Sequence, residues 1–84
     1  MDNYITCCIH PFIVNQKVAV YKNGECIKQV KVPLNSLQES LYMLCKENDI
    51  KEISLGGNRL YGLKLKDEFT ANKYVDDGIK ISFF

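Results

Sequence analysis

Gln16-Lys17-Val18-Ala19-Val20-Tyr21-Lys22-Asn23-Gly24-Glu25-Cys26-Ile27-Lys28-Gln29-Val30-Lys31-Val32 is the stretch that decides the fold. Two runs rich in β-branched and apolar residues flank Asn23-Gly24, a pair that accepts the positive φ angles of a two-residue type I′ turn. The stretch therefore predicts a β-hairpin. In its tight register Lys22 faces Glu25, Tyr21 faces Cys26 and Val20 faces Ile27, which sets an opposite-charge pair beside the turn and apolar pairs beyond it. Apolar parity changes between Ile27 and Val30-x-Val32. Either a bulge interrupts the second strand near Lys28-Gln29 or both sheet faces are partly covered.

Upstream, Tyr4-Ile5-Thr6-Cys7-Cys8-Ile9-His10 is apolar, β-branched and too short for a helix, which predicts a buried strand. Pro11 limits it, and Phe12-Ile13-Val14 reads as its continuation past a bulge or along an edge, because proline cannot donate to a central ladder. Downstream, Pro33 ends the hairpin. Asn35 or Ser36 then supplies a helix N-cap, with Gln38 or Glu39 closing a capping box. Leu37, Leu41, Leu44 and Cys45 recur at i, i+4, i+7 and i+8, one apolar stripe on a helix from Ser36 to Glu47. Lys46 complements the dipole in the last turn, and Asn48 suits the left-handed cap.

Ile50 to Leu55 predicts a short strand that runs into Gly56-Gly57-Asn58. Arg59 to Tyr74 fits two patterns: Tyr61, Leu63 and Leu65 alternate as in a strand, whereas Tyr61, Leu65 and Phe69 repeat every four residues as in a helix. The helix is preferred, with Asn58 as its N-cap and a length suited to crossing back to a parallel strand, although Gly62 inside it counts against. Asp76-Asp77-Gly78 is a turn, and Ile79 to Phe84 a last strand with Ile79, Ile81 and Phe83 on one face. The order strand, strand, strand, helix, strand, helix, strand predicts an α/β domain. A three-strand antiparallel meander is extended by helix-strand-helix-strand into one mixed sheet with helices on its faces. The alternative is an α+β domain in which residues 59–74 are partly strand.

The chain has 84 residues, 46% of them hydrophobic and 25% charged, with a net charge of +1. That length suits one domain over residues 1–84, and that balance is that of folded rather than disordered chains. Acids and bases are mixed, so no strong overall field draws in nucleic acid or an anionic membrane. No apolar run approaches the roughly 18 residues of a spanning helix, and the acidic start lacks the basic region of a secretory signal. The expectation is a cytoplasmic protein without a membrane partner. Cys7, Cys8, Cys26 and Cys45 are then read as reduced core thiols, with Cys7 and Cys8 on opposite faces of their strand. Ten lysines against one arginine, with seven asparagines and eight isoleucines, is the usage of an AT-rich genome, such as that of a low-GC bacterium or its phage.

The element order resembles the core of the ribonuclease H-like and actin-like superfamily: three antiparallel strands, a helix, a strand, a helix and a strand. Ile53-Ser54-Leu55-Gly56-Gly57-Asn58, followed by Leu60 and Leu63, is similar to the strand, paired glycines and helix start that actin-like ATPases set against the adenosine. The superfamily's nucleases carry a metal-holding aspartate in the first strand, where this chain has Cys7, Cys8, Ile9 and His10, and an acid at the end of the fourth strand, where it has Gly56. Its ATPases carry a phosphate loop of Asp-x-Gly type in the first hairpin and a second domain, and neither is found here. The resemblance therefore implies the fold without the activity.

Four residue sets are candidates for chemistry or binding. Cys8 and His10 share a strand face that Cys26 on a later strand could approach, but a structural zinc uses four ligands in close-spaced pairs and this set has one such pair, so no metal is assigned. None of the cysteines lies at a helix N-terminus, which argues against a nucleophilic thiolate. Gly56, Gly57 and Asn58 would present backbone N–H groups to a phosphate, or else permit a tight turn. Lys17, Lys22, Lys28 and Lys31 line the hairpin beside Tyr21, with Tyr4 and Phe12 near, a mixture that suits single-stranded nucleic acid or a solvated face. Asp67, Glu68, Asp76 and Asp77 lack the spacing of a calcium loop.

The expectation from the sequence is a non-enzymatic interaction module, without cofactor, that binds a protein partner or itself. Ile81, Phe83 and Phe84 at an exposed strand edge are its expected interface. The alternatives are a small nucleic-acid-binding protein working through the lysine-bearing hairpin, and a degenerate nuclease or nucleotide-binding half-domain.

Overall fold

Period-two alternation sets the strands of this chain, and a four-residue repeat sets its helices. In the computed structural model, which describes residues 2–84, the elements run β1 (Tyr4–Ile9), β2 (Asn15–Lys22), β3 (Glu25–Pro33), α1 (Leu37–Asn48), β4 (Glu52–Gly57), α2 (Arg59–Ala71) and β5 (Lys80–Phe83). Short 3-10 turns at Leu34–Ser36 and Tyr74–Asp77 precede α1 and β5. The mixed α/β order is the expected one, and the ambiguous segment after Asn58 is helical.

The strands lie side by side as β3-β2-β1-β4-β5. β1 and β3 run antiparallel to β2, whereas β4 runs parallel to both β1 and β5. Ile5, Cys7, Ile9, Val18, Val20, Ile53 and Leu55 form one core with Leu37, Leu41, Leu44 and Cys45 of α1 and Leu65 and Phe69 of α2. The helices also touch each other, with Gln38 Nε2 donating to Glu68 Oε2 at 3.1 Å, and Tyr42 stacks on Tyr74 at 3.8 Å between ring centres. Both helices thus cover one face of the sheet, and the other face is bare. This corrects the expectation of helices on both faces: the β3-to-β4 and β4-to-β5 crossovers step the same way along the sheet, and connections of one hand then place both helices on one side.

The hairpin turns on Asn23 (φ 52°) and Gly24 (φ 80°), the positive angles its dipeptide suits. Lys22 pairs with Glu25 and Tyr21 with Cys26, as expected. Val20 instead pairs with Lys28, not Ile27. The register shift makes Ile27 the extra residue, so the bulge sits closer to the turn than Lys28-Gln29, and it is what returns Val30 and Val32 to the core parity.

Phe12-Ile13-Val14 does not continue β1. It forms a tight connection in which Ile13 N–H donates to His10 O at 3.1 Å, because Pro11 cannot extend the ladder and β2 must start at Asn15 to pair with Pro33. Ser36 occupies the N-cap of α1 without a side-chain capping bond; its Oγ donates to Pro33 O at 3.4 Å, so the capping box does not form. The left-handed residue after α1 is Asp49 (φ 54°), not Asn48. Asn48 is still helical, and its Nδ2 donates to Leu44 O. At α2 the expected cap is present, with Asn58 Oδ1 accepting from Tyr61 N–H at 3.0 Å. No helix among the described residues is long and apolar enough to cross a membrane.

Candidate functional site

Strand parity sorts the hairpin lysines onto two faces. Directly opposed residues share a face, so the pairs Lys17↔Lys31, Ala19↔Gln29 and Tyr21↔Cys26 stand on the bare face with Tyr4, Thr6 and Cys8 of β1. Lys22 and Lys28 take the parity of Val18 and Val20, the side of the helices. Of the five residues singled out for nucleic acid, the structure therefore brings together Lys17, Lys31 and Tyr21, and sets Lys22 and Lys28 apart. Thr6, Cys8 and Ala19 floor a shallow trough, with Lys17, Gln29 and Lys31 along one side and Phe84 on the other. Tyr4 and Tyr21 stack across the strands, 4.8 Å between ring centres and 10° from parallel.

Gly57 has φ +80°, and a Cβ there would meet the Ile9 backbone. The glycine thus lets β4 close on β1 at their shared end. Asn58 N–H donates to Ile9 O at 2.9 Å, and Asn58 Oδ1 is taken by Tyr61. Of the backbone N–H groups offered to a phosphate at Gly56, Gly57 and Asn58, that of Asn58 is engaged within the chain, as a tight turn requires.

The two aromatic residues of the expected interface diverge. Phe83 lies on the helix side, half-buried, with its ring where a Cβ on Gly62 would sit and with Arg59 4.8 Å from the ring centre. Ile81 is half-buried against the same core. Phe84 turns to the bare face, lies over Gly56 and is 71% exposed.

The thiols divide as well. Cys7 and Cys45 are buried and Cys8 and Cys26 exposed, so only two of the four are core thiols. Burial, with Cys8 nearby, pushes the Cys7 thiol up to about 11. Burial pushes Cys45 up to about 12, against the opposing charge of Lys51. Cys26 does not converge with Cys8 and His10: Cys26 sits opposite Tyr21 at one end of the sheet, whereas Cys8 and His10 border one hollow near the other. Among the described residues no group of three or more His, Cys, Asp or Glu side chains is placed to hold a metal ion. Of the acidic residues, Asp77 accepts from the Tyr42 hydroxyl, and Lys51 Nζ donates to the Asp77 carbonyl at 2.8 Å. The hydrogen bond from Tyr42 holds the Asp77 carboxyl below its ordinary 3.8.

The largest apolar exposure lies where the sequence predicted strand. Phe12 is 99% exposed and Val14 75%, with Ile13 between them also exposed, and they share a hollow with Pro11, Pro33, Leu34 and Tyr61. Gln16 holds this connection in place. It is buried on the core parity of Val18, its Oε1 accepts from His10 N–H at 2.7 Å, and its Nε2 donates to His10 O and Ile13 O at 2.9 and 2.6 Å. Leu34 N–H donates to Val14 O at 2.9 Å and closes the other side. The signal for this arrangement was present in Pro11 and in a glutamine at a core position, but it takes the tertiary bonds of Gln16 to read it. In comparison with known proteins, no family model, no curated protein and no solved structure matches this chain.

Proposed function

We propose that this protein is a non-enzymatic interaction module that takes a protein partner, a second copy of itself included, on the apolar rim formed by Phe12, Ile13 and Val14 with Leu34 and Tyr61. The observation that carries the reading is a fully exposed phenylalanine on a connection that is not loose, since the buried Gln16 amide bonds both its ends. Contiguous exposed apolar residues on a folded domain mark interaction sites, and a phenylalanine held in position loses little freedom on docking. The resemblance to the ribonuclease H-like core fits the same reading, because the positions where its nucleases carry acids are Cys7, Cys8, Ile9, His10 and Gly56 here.

The test is light scattering over a wide range of concentrations, at low and high salt, on the wild-type protein and on Phe12→Ser, Val14→Ser and Phe84→Ser. The expected result is a mass that rises with concentration, is insensitive to salt, and returns to that of the monomer in the Phe12 and Val14 variants but not in Phe84→Ser. Dependence on Phe84 alone would move the interface to the β5 side of the sheet. A constant monomer in every case would remove the second copy as partner.

A further inference from the structure

Lys17 and Lys31 are cross-strand partners on β2 and β3, both exposed. Like charges placed directly opposite in a sheet work against the fold. A nearby carboxylate would offset this, but the bare face of β1, β2 and β3 carries Tyr4, Thr6, Cys8, Asn15, Lys17, Ala19, Tyr21, Cys26, Gln29, Lys31 and Pro33, and no acid; Glu52 of β4 shares the face but stands at its Tyr4 end, paired with Lys80. Among the described residues the one ion pair is Lys46 with Asp77, on the helix side. Two positive charges are therefore held together over a trough floored by small side chains, with no acidic partner among the described residues. His10 and Asn15 border the adjoining hollow with the same two lysines. At the other end of the face, four residues along β2 and so roughly 13 Å away, stands the stacked pair of Tyr4 and Tyr21.

From this we infer that the bare face binds single-stranded nucleic acid, its phosphates on Lys17 and Lys31 and its bases toward Tyr21. Unpaired lysines beside a shallow, small-residue floor complement a flexible polyanion, and an aromatic pair in line with them suits bases free to stack. The single strand follows from the tyrosines, since a duplex keeps its bases stacked on each other and offers only phosphates to such a face. This surface adjoins the apolar rim, since Ile13 and Val14 line the hollow that Lys17 and Lys31 border, but it is built on different residues, and substitutions at Lys17, Lys31 and Tyr21 test it apart from those at Phe12 and Val14.

The experiment is fluorescence anisotropy of labelled oligo(dT) across a salt series. Wild-type protein is expected to bind with an affinity that falls as salt rises. Lys17→Gln with Lys31→Gln is expected to lower the slope of log affinity against log salt by about 1.4, from about 0.7 per phosphate contact on a single strand. Lys22→Gln with Lys28→Gln, on the other side of the sheet, leaves that slope unchanged, and Tyr21→Leu weakens binding about tenfold. Lys31→Glu guards against a folding artefact, because it turns a repulsive cross-strand pair into an attractive one: it is expected to bind worse while melting higher. No binding by the wild-type protein, binding indifferent to salt, or an equal effect of the Lys22 and Lys28 changes would each overturn the inference. So would equal competition by duplex DNA, and so would displacement by polyglutamate as effective as by unlabelled oligo(dT), which would make the ligand an acidic polypeptide.

Discussion

Gln16 shows how much one polar side chain fixes here. It lies on the parity of Val18 and Val20, is 1% exposed and satisfies three backbone groups of the His10–Val14 connection. Gln16→Ala leaves His10 N–H and Ile13 O without that partner and His10 O with the Ile13 N–H alone, and a group left unpaired costs about 1–3 kcal/mol where water does not reach it. A loss of at least about 2 kcal/mol in denaturant unfolding is expected, together with faster amide exchange over residues 10–14. Undiminished stability would show that the connection holds itself. The cysteines give a second expectation at this scale. Cys8 and Cys26 should react quickly with an aromatic disulfide reagent in the native protein, whereas Cys7 and Cys45, buried and with raised thiol pKa values, should react only on unfolding. Four equal rates would contradict the burial. The sequence predicted Cys7 and Cys8 on opposite faces, but which face lay bare depended on the helices.

Among the elements, α2 shows why propensity gave a divided reading. Gly62 weakens a helix by about 1 kcal/mol relative to alanine, and sequence alone supplies no reason for it. The ring of Phe83 supplies one, occupying the space a Cβ would need. A strand residue far along the chain thus decides a helix position. The caps divide in the same way: Asn58 is legible because its partner, Tyr61 N–H, is local, whereas at α1 the 3-10 turn after Pro33 diverts Ser36 from capping. The end of α1 is tied down by Tyr42, whose hydroxyl donates to Asp77, with Lys46 Nζ 3.7 Å from the same carboxylate. That bond lowers the Asp77 pKa below 3.8 and raises that of Tyr42 above 10.0. A depressed carboxyl stabilises the fold above its unfolded pKa and ceases to do so as pH falls through the folded value. A raised phenol stabilises below its unfolded pKa and ceases to do so as pH rises through the folded value. Tyr42→Phe should therefore melt lower than wild type between these limits and converge with it at both extremes. A constant offset across the pH range, measured by thermal unfolding, would assign the tyrosine a packing role alone.

For the whole molecule, element order and type were legible from alternation, the Asn23-Gly24 turn and the Leu37-Leu41-Leu44-Cys45 stripe, since each is a local pattern. What was not legible is which side of the sheet each residue faces once neighbours are assigned. That depends on β1 pairing with both β2 and β4 and on both crossovers stepping the same way, and it decides that Lys17 and Lys31 stand together while Lys22 and Lys28 stand apart. The central place of β1 has a further consequence in time. As the chain emerges during synthesis, β2 and β3 meet across a two-residue turn almost as soon as both are made, and β1 joins them along one edge. Its other edge stays open until β4 arrives to set Ile53 beside Ile5, after β3, its preceding turn and α1 have all been translated. During that interval a three-stranded nascent sheet presents the edge of Tyr4–Ile9 and its apolar side chains to the crowded exit of the ribosome. An exposed apolar strand edge of this kind is a template for pairing with another chain, and β4 closes it in the finished protein.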